Sequence, residues 1–237
     1  MSVFLITLPT RQACGATVIN DRYLLTAGHC IHSFKNQLDK TKVAIGEASI
    51  SDMVAKNQLL DIDSYVVHPN YKHGADGHYH NDIALVKLKS PIEDFGHRLF
   101  PVCLGGPTTN PGDTVIAIGY GYNDDPFFGG KLMDKLQELE LKILTTRNCR
   151  FYWPFSFKAD IQLCAGGRGQ NSCTYDSGGP LIANSDGRDH QIGIVSHGGD
   201  DCGRATRSPT AFTKVSAYVD WIKSETSDAK WCDDVLE

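Results

Sequence analysis

Three short segments of this chain contain the residue types that nucleophilic catalysis requires. His29 lies in Thr-Ala-Gly-His-Cys, Asp82 lies in Asn-Asp-Ile-Ala-Leu, and Ser177 lies in Asp-Ser-Gly-Gly. A serine hydroxyl is a weak nucleophile at neutral pH, so it needs an imidazole to take its proton and a buried carboxylate to orient that imidazole. The three segments therefore supply one candidate for each role.

Each segment taken alone has a simpler interpretation. Asp-Ser-Gly-Gly is also typical of a tight turn, and Asn-Asp-Ile-Ala-Leu of a turn that enters a strand. The order along the chain is more specific, because one lineage of hydrolases uses His, Asp, Ser and other lineages use different orders. The conjunction of the three motifs, rather than any one of them, indicates the chemistry.

Further motifs extend the pattern over nearly the whole chain. They are Cys-Gly-Ala at 14–16, Val-Val-His-Pro-Asn-Tyr at 66–71, Pro-Val-Cys-Leu at 101–104, Gly-Tyr-Gly at 119–121, Leu-Cys-Ala-Gly at 163–166, Ile-Val-Ser-His-Gly at 194–198, Phe-Thr-Lys-Val at 212–215 and Tyr-Val-Asp-Trp-Ile at 218–222. With these motifs the chain resembles the trypsin/chymotrypsin family of serine peptidases.

The resemblance implies an all-β fold of two six-stranded antiparallel β-barrels followed by a C-terminal α-helix. We expect one peptidase domain over residues 1–225, with barrel one ending near 99, barrel two near 215 and the helix at 216–225, and a tail at 226–237. Only the helix segment shows convincing helical periodicity. The β-rich runs are 16–19, 23–26, 60–67, 83–87, 114–118, 137–144 and 191–196, with a hairpin turn at 184–187.

Composition limits the possible partners. The 237 residues fit one domain, and the net charge of −5 comes without a basic stripe, so we expect neither nucleic acid nor membrane as a partner. No apolar run approaches the roughly 18 residues that a membrane-spanning helix needs. Eight cysteines indicate an oxidising compartment and a secreted, extracellular protein.

The resemblance also suggests how the cysteines pair. It joins Cys14 to Cys30, Cys149 to Cys164, and Cys173 to Cys202. Cys103 and Cys232 remain: they either pair with each other, or Cys103 tethers a pro-segment absent from this chain, which we slightly favour. A metal cluster is disfavoured because the spacings fit no zinc pattern.

By resemblance, the three motif residues take the family's catalytic roles. His29 is the general base and then the acid, Asp82 orients it, and Ser177 forms the acyl-enzyme. Ser196 is expected to hydrogen-bond near Asp82 and to offer its backbone to an extended substrate. No cofactor or metal is required, and the expected partners are protein or peptide substrates and protein protease inhibitors.

The oxyanion hole departs from the family pattern. Its donors are the backbone N–H groups of Ser177 and of residue 175, where a glycine is expected and Tyr175 stands. The tyrosine keeps the N–H but adds a Cβ, so it either strains or misplaces the donor, or is tolerated with its ring over the leaving-group side of the cleft. Asp176 is expected to bind the new terminal ammonium that forms on activation.

The chain's beginning also departs from the family, whose active members start with Ile-Val-Gly-Gly freed from a pro-segment. Here Met1 leads directly into a strand-like segment, so we expect an N-terminally truncated domain that behaves as an unactivated zymogen when expressed from Met1. A signal peptide is the alternative, but six apolar residues without a basic flank are too few.

The specificity pocket falls, by alignment, on Asn171 and Ser172 at its base and on Gly198 and Thr210 at its walls. Asn171 replaces the aspartate of trypsin-like pockets and so removes the charge that would pair with Arg or Lys. Thr210 replaces a glycine and should narrow the mouth. We predict a preference for small to medium uncharged residues, although aspartates at 200 and 201 could restore some basic preference.

Other departures lie around the cleft. His197 stands where a tryptophan usually supports the substrate, and Tyr79 stands where relatives shape the next subsite. Histidines at 73, 78 and 80 favour a solvated loop, with zinc binding as the alternative. Glu47 matches one ligand of the family's calcium loop, but Asn57 replaces a second, so calcium is unsupported. The aromatic run at 151–157 favours core packing, with a binding rim as the alternative.

We therefore predict a serine-type endopeptidase that is not strictly Arg/Lys-specific. The alternative is a catalytically weak serine protease homologue that acts as a binding or regulatory module.

Overall fold

Strands make up most of the regular structure. The computed structural model describes residues 2–7, 12–74, 78–93, 95, 99–123, 129–166, 172–173, 175–185, 187–198 and 208–231. The strands within these residues are β1 (Ser2–Thr7), β2 (Gln12–Val18), β3 (Tyr23–Thr26), β4 (Thr41–Ala44), β5 (Leu59–Val67), β6 (Lys72–His73), β7 (Tyr79–His80), β8 (Ala84–Leu88), β9 (Cys103–Leu104), β10 (Thr114–Gly119), β11 (Gln137–Lys142), β12 (Gln162–Ala165), β13 (Pro180–Ser185), β14 (Arg188–His197) and β15 (Thr210–Lys214).

The first half of the chain forms the predicted closed barrel. Its six strands follow the order β1-β2-β3-β8-β5-β4, and every pairing in it is antiparallel. Apolar side chains fill the interior, and Leu24, Leu25 and Leu85 are completely buried. Removing this apolar surface from water stabilises the barrel that presents two of the three motif residues.

The second half forms a seven-stranded sheet. Six strands follow the antiparallel order β11-β10-β13-β14-β15-β12, and β9 pairs with β14 in parallel, which the expected antiparallel barrel did not include. A bridge between Ile143 and Ala165 brings β11 and β12, the end strands of this order, together. The predicted all-β architecture is therefore confirmed, with a closed first barrel and a second sheet that curls into a half-barrel.

The described residues form four short α-helices: α1 (Gly28–Phe34), α2 (Ile50–Ala55) and α3 (Thr146–Tyr152) lie between strands, and α4 (Val219–Glu225) follows the last strand. The predicted C-terminal helix is confirmed as a 3-10 turn, Val215–Ala217, followed by α4. The other three were missed because six or seven residues are too few for a periodic pattern. Side chains of Ser49 and Thr145 cap α2 and α3, and this local signal could have revealed both.

Among the described residues, no helix combines the length and the apolar character that crossing a membrane would take.

Two of the expected disulfides are present, Cys14–Cys30 and Cys149–Cys164. Cys173 is also disulfide-bonded, but its expected partner, Cys202, lies outside the described residues, as does Cys232. Cys103 is disulfide-bonded within this chain. Because a sulfur forms only one such bond, the expectation that Cys103 tethers a pro-segment is wrong for this structure.

Two surface segments differ from the sequence prediction. In the aromatic run, Trp153 and Phe157 are buried as core packing predicts, but Phe151 is 80% exposed and Phe155 98% exposed. The described part of the expected tail packs onto the first barrel. There, Asp228 accepts hydrogen bonds from Tyr23 Oη at 2.8 Å and from Lys87 Nζ at 2.7 Å.

Candidate active site

Asp82 is the buried carboxylate of the candidate site. It lies two residues beyond β7, and only 1% of its surface is exposed. Its backbone carbonyl accepts a hydrogen bond from Thr213 Oγ1 at 2.8 Å. The preceding Asn81 has a positive φ of 49° and accepts a hydrogen bond from Tyr218 Oη at 2.9 Å. Groups from β15 and from the turn before α4 therefore hold the Asp82 carbonyl and the Asn81 side chain in place.

His29 meets the Asp82 carboxylate at two points. Its backbone N–H donates to Oδ1 and its ring Nδ1 lies against Oδ2, each at 2.8 Å. Gly28 permits this approach, because a Cβ there would lie 3.3 Å from Asp82 Oδ1 and 2.9 Å from the ring of Tyr71. The two contacts hold the imidazole in a fixed orientation, with Nδ1 on the carboxylate and Nε2 on the opposite side of the ring.

The carboxylate is held in its ionised form. Burial alone would raise the pKa of Asp82, but the charge of His29 and hydrogen bonds from His29 and Ser196 together hold that pKa below its ordinary value. Ser196 Oγ donates to Asp82 Oδ2 at 2.6 Å. Ser196 falls where the register of β14 against β15 shifts, and such an irregularity re-aims a side chain.

Ser177 is carried by a loop that docks on the first barrel. Gly15 N–H donates to the Ser177 carbonyl at 2.8 Å, and Gly178 N–H donates to the Val195 carbonyl at 2.9 Å. Gly178 has a φ of 81°, and a Cβ there would lie 2.3 Å from Thr26 Oγ1. The glycine after Ser177 is therefore required by both backbone conformation and space.

The first disulfide contacts both the backbone of Ser177 and the ring of His29. The Cys30 sulfur lies 3.6 Å from the Ser177 carbonyl and 3.8 Å from His29 Nε2. Among the described residues no hydrogen bond joins Ser177 Oγ to His29. Such bonds are often long in a free site and tighten when substrate binds, so the arrangement is compatible with proton transfer.

Two backbone donors beside Ser177 are unused. Within the described part of the chain, the N–H groups of Tyr175 and Ser177 have no acceptor, whereas those of Asp176, Gly178 and Gly179 donate to backbone carbonyls. Two such donors, separated by one residue and next to a candidate nucleophile, can stabilise a developing oxyanion.

Tyr175 adopts the backbone conformation of the glycine it replaces. Its φ is 74°, and the Asp176 N–H donates to the Cys173 carbonyl at 3.1 Å, as in a turn whose third position requires positive φ. Its ring stacks on Tyr122, with centroids 5.6 Å apart, and packs on an apolar cluster that includes Tyr120. The Tyr175 ring is thus packed against other side chains, while the Tyr175 backbone is strained. In this conformation the Tyr175 N–H remains part of the loop.

Asp176 is buried next to a cavity of about 260 Å³. Its carboxylate accepts hydrogen bonds from Gly121 N–H at 2.8 Å and Cys173 N–H at 2.9 Å. Burial raises the pKa of Asp176 to about 6, although both hydrogen bonds lower it. A Cβ at Gly119 or Gly121 would come within 2.5 Å of this carboxylate, so the Gly-Tyr-Gly motif makes room for it. No described residue forms an ion pair with Asp176.

The predicted specificity residues are only partly described, because Asn171 and the aspartates at 200 and 201 lie outside the described residues. Ser172 N–H donates to Thr210 Oγ1 at 3.1 Å, and both residues are buried. The Thr210 hydroxyl therefore fixes the backbone at Ser172. Gly198 has a φ of 101°, and a Cβ there would lie 2.8 Å from Trp153.

Aromatic and imidazole rings line the cleft beside His29. Tyr79 stacks on His29, with centroids 4.7 Å apart and planes inclined by 14°. His73 stacks on Tyr79 at 4.8 Å, and the ring of His78 lies 5.0 Å from that of His197. His73 remains exposed although its ring stacks on Tyr79, and His78 and His80 are half-buried, so the solvated histidine loop stays a prediction.

The structure also addresses the candidate metal sites. Within the described residues, one group of three potential ligands lies close together, Cys14, His29 and Cys30, but its two sulfurs form a disulfide. Glu47, which matched a calcium ligand, accepts a hydrogen bond from Lys56 Nζ at 2.7 Å. The Glu47 carboxylate is therefore paired with a lysine ammonium.

Sequence reasoning named the triad candidates and Ser196, but not Thr213 and Tyr218, whose hydroxyls bind Asp82 and Asn81. Thr213 and Tyr218 fall within motifs that the resemblance used, yet nothing in those motifs shows what their hydroxyls contact. A polar residue within an otherwise apolar motif is the signal that could have identified them.

Comparisons with known proteins agree with this geometry. The family profile described as Trypsin matches residues 2–222. CLIP domain-containing serine protease B4 of Anopheles gambiae is 36% identical over 228 residues, which cover 89% of this chain and 61% of that protein. Trypsin-1 of Astacus astacus is 32% identical, with 89% of this chain and 86% of that protein covered.

A solved structure of mouse neuropsin, titled a serine protease, superposes with a TM-score of 0.78 at 28% identity, covering 94% of this chain and 93% of that one. The chain spans between 53% and 63% of the length of the first three curated relatives that it matches.

Proposed function

This chain belongs to the trypsin family of serine proteases, which are hydrolases, and from that premise we propose that it is an endopeptidase that works through an acyl-enzyme on Ser177. The observation that carries the proposal is the buried Asp82 carboxylate, bonded twice to His29 within reach of the loop that bears Ser177. We take residues 1–225 as the peptidase domain.

The proposed reaction follows from this arrangement. Ser177 Oγ attacks the carbonyl carbon of the scissile peptide while His29 Nε2 takes its proton, and Asp82 stabilises the imidazolium that forms. The C–N bond then breaks, and the leaving amine takes the proton from His29. Water attacks the resulting ester by the same route in reverse and regenerates Ser177.

The N–H groups of Ser177 and Tyr175 would stabilise the negative charge on the carbonyl oxygen. What supports this role is that neither group has an acceptor among the described residues, while their neighbours do. The positive φ of Tyr175 keeps its N–H in the conformation that a glycine would give. We therefore propose that the tyrosine is tolerated at this position.

We propose a preference for small to medium uncharged residues before the scissile bond. Ser172 and Thr210 supply hydroxyl groups without charge, and Ser172 Oγ has no partner within the described residues. A fluorogenic peptide panel tests this proposal. A dominant signal from Arg or Lys substrates would contradict it.

Activation would proceed through Asp176. A buried carboxylate beside a cavity, without an ion-pair partner among the described residues, fits an α-ammonium group freed by proteolysis. We also propose that the protein is secreted, because its disulfides require an oxidising compartment. Protein or peptide substrates and protein inhibitors are the partners that this function implies.

Labelling with a fluorophosphonate tests the proposed function. We expect the full-length protein, after proteolytic activation, to react at Ser177, and its Ser177→Ala and His29→Ala variants to react little. The folded state of each variant would be checked by circular dichroism. Absence of labelling in the activated wild-type protein would favour the alternative of a binding homologue without catalysis.

A further inference from the structure

A second histidine is connected to the triad carboxylate through Ser196. Ser196 Oγ lies between two groups, 2.6 Å from Asp82 Oδ2 and 3.1 Å from His197 Nδ1. A hydroxyl has one hydrogen to donate, and an ionised carboxylate can only accept. The hydrogen of Ser196 therefore goes to Asp82, and its oxygen remains as an acceptor.

This assignment determines the tautomer of His197. Because the Ser196 oxygen can only accept on its second side, His197 Nδ1 must carry a hydrogen and donate it. The position of a ring proton follows here from the hydrogen-bond network, which is how tautomers are assigned without visible hydrogens. In the neutral ring, Nε2 is then an acceptor.

The surroundings of His197 keep its ring neutral and fixed. The ring packs edge to face against Trp153 at 5.5 Å and against Tyr79 at 6.2 Å, and it faces His78. Burial is the main cause that lowers the pKa of His197 to about 4; the charges of His78, His29 and His80 also lower this pKa, and the charge of Asp82 opposes them. At neutral pH, His197 is therefore an uncharged donor.

We propose that His197 is a positioning residue for catalysis, which acts by donating from Nδ1 to Ser196 Oγ. This donation holds the Ser196 hydroxyl in the rotamer that faces Asp82. It also polarises the hydroxyl, so that Ser196 becomes a stronger donor to the carboxylate. The inference deepens the proposed function, since it assumes that Asp82 and His29 carry the reaction.

Loss of the His197 donor should change the rate of catalysis in a definite direction. Without the His197 donor, the Ser196–Asp82 bond weakens and more negative charge stays on Asp82, which favours the imidazolium form of His29. The general base is then protonated up to a higher pH. Removal of one neutral hydrogen bond of ordinary strength should slow acylation about 3- to 10-fold.

Three variants distinguish the effect of the hydrogen bond that His197 donates from the effect of the packing of its ring. His197→Phe keeps an aromatic ring but removes the donor, whereas His197→Asn loses the ring but keeps an N–H near the Nδ1 position. Ser196→Ala removes the group through which His197 acts. We expect His197→Phe to slow fluorophosphonate labelling of Ser177 about 3- to 10-fold, to move the acid limb of the pH–rate profile to higher pH, and to be rescued by His197→Asn.

The double variant supplies the decisive control. In the Ser196→Ala background, His197→Phe should have no further effect, because interacting residues are not additive. An equal effect in both backgrounds, or an Asn variant as slow as the Phe variant, would overturn the inference.

Nitrogen-15 NMR of the wild-type protein reads the tautomer without requiring activity. A neutral His197 with its proton on Nδ1 is expected, and a proton on Nε2 would overturn the inference. Failure of the wild-type protein to label would instead count against the proposed function, so the two failures are distinguishable.

Discussion

Replacing Tyr175 with glycine tests whether the oxyanion hole is already formed. Tyr175 has a φ of 74°, and its N–H has no acceptor among the described residues. Its ring stacks on Tyr122 with centroids 5.6 Å apart. Tyr175→Gly relieves the backbone strain and removes the ring, while the N–H remains in place.

The two effects on stability have opposite signs. A non-glycine residue in the left-handed region costs about 1–2 kcal/mol, which the glycine recovers. The lost aromatic stack is worth about 0.5–1.5 kcal/mol. We therefore expect the free energy of unfolding to change by less than about 1.5 kcal/mol in either direction.

The effect on catalysis distinguishes tolerance from impairment. If the donor already points into the hole, kcat/KM for a short peptide substrate should change by less than about threefold. If Tyr175 misplaces the donor, the glycine restores it and raises kcat by about 10²–10³. A rise of a hundredfold or more would refute the reasoning.

Tyr175→Ala is the matched control, because it removes the ring but keeps the Cβ and the strain. It should be less stable than Tyr175→Gly by about 1–2 kcal/mol while matching its kcat/KM. Denaturant unfolding and a chromogenic peptide amide provide the two measurements. Tighter inhibition of both variants by a bulky protein inhibitor would indicate that the wild-type ring restricts access to the cleft.

Three further predictions concern other parts of the site. The raised pKa of Asp176, about 6, means that the folded state binds this proton more tightly than the unfolded state. The free energy of unfolding of the unactivated wild-type protein, relative to Asp176→Asn, should therefore fall by about 2–2.5 kcal/mol as pH rises from about 4 to 7, and a flat difference would contradict this. Because Lys56 already binds Glu47, we expect calcium or a chelator to leave Tm unchanged, and a rise in Tm with calcium would show that the ammonium does not fill this position. Gly178→Ala should abolish labelling and destabilise the protein more than Gly112→Ala, because a Cβ at 178 would lie 2.3 Å from a side-chain oxygen while the Cβ at 112 meets nothing. Gly112→Ala should cost only the strain of about 1–2 kcal/mol, and equal losses in denaturant unfolding would contradict the steric argument.

The sequence predicted those features whose signal is local. The triad candidates each lie in a short motif, and β3 occupies the predicted residues 23–26. The sequence prediction missed the short helices because each is marked by at most one capping side chain and not by a periodic pattern of apolar residues. The parallel pairing of β9 with β14 was missed because it joins segments far apart in the chain.

Apart from Ser196, which the resemblance placed near Asp82, side-chain contacts across the fold could not be predicted. The Lys56 contact with Glu47 and the Thr213 contact with the Asp82 carbonyl depend on how loops and strands pack. Tyr175 shows the same limit, because its residue type suggested strain but only the structure gives its φ. Residue types therefore indicated the chemistry, whereas the geometry that tunes it follows from tertiary structure.

The most direct test of the proposed mechanism is to trap the acyl-enzyme. The activated protein would be mixed with a reactive peptide ester, quenched in acid, digested and mapped by mass spectrometry. The mechanism predicts an acyl group on the peptide that contains Ser177, absent from Ser177→Ala and strongly reduced in His29→Ala. An acyl group on another residue, or none on Ser177 while the ester is turned over, would contradict it.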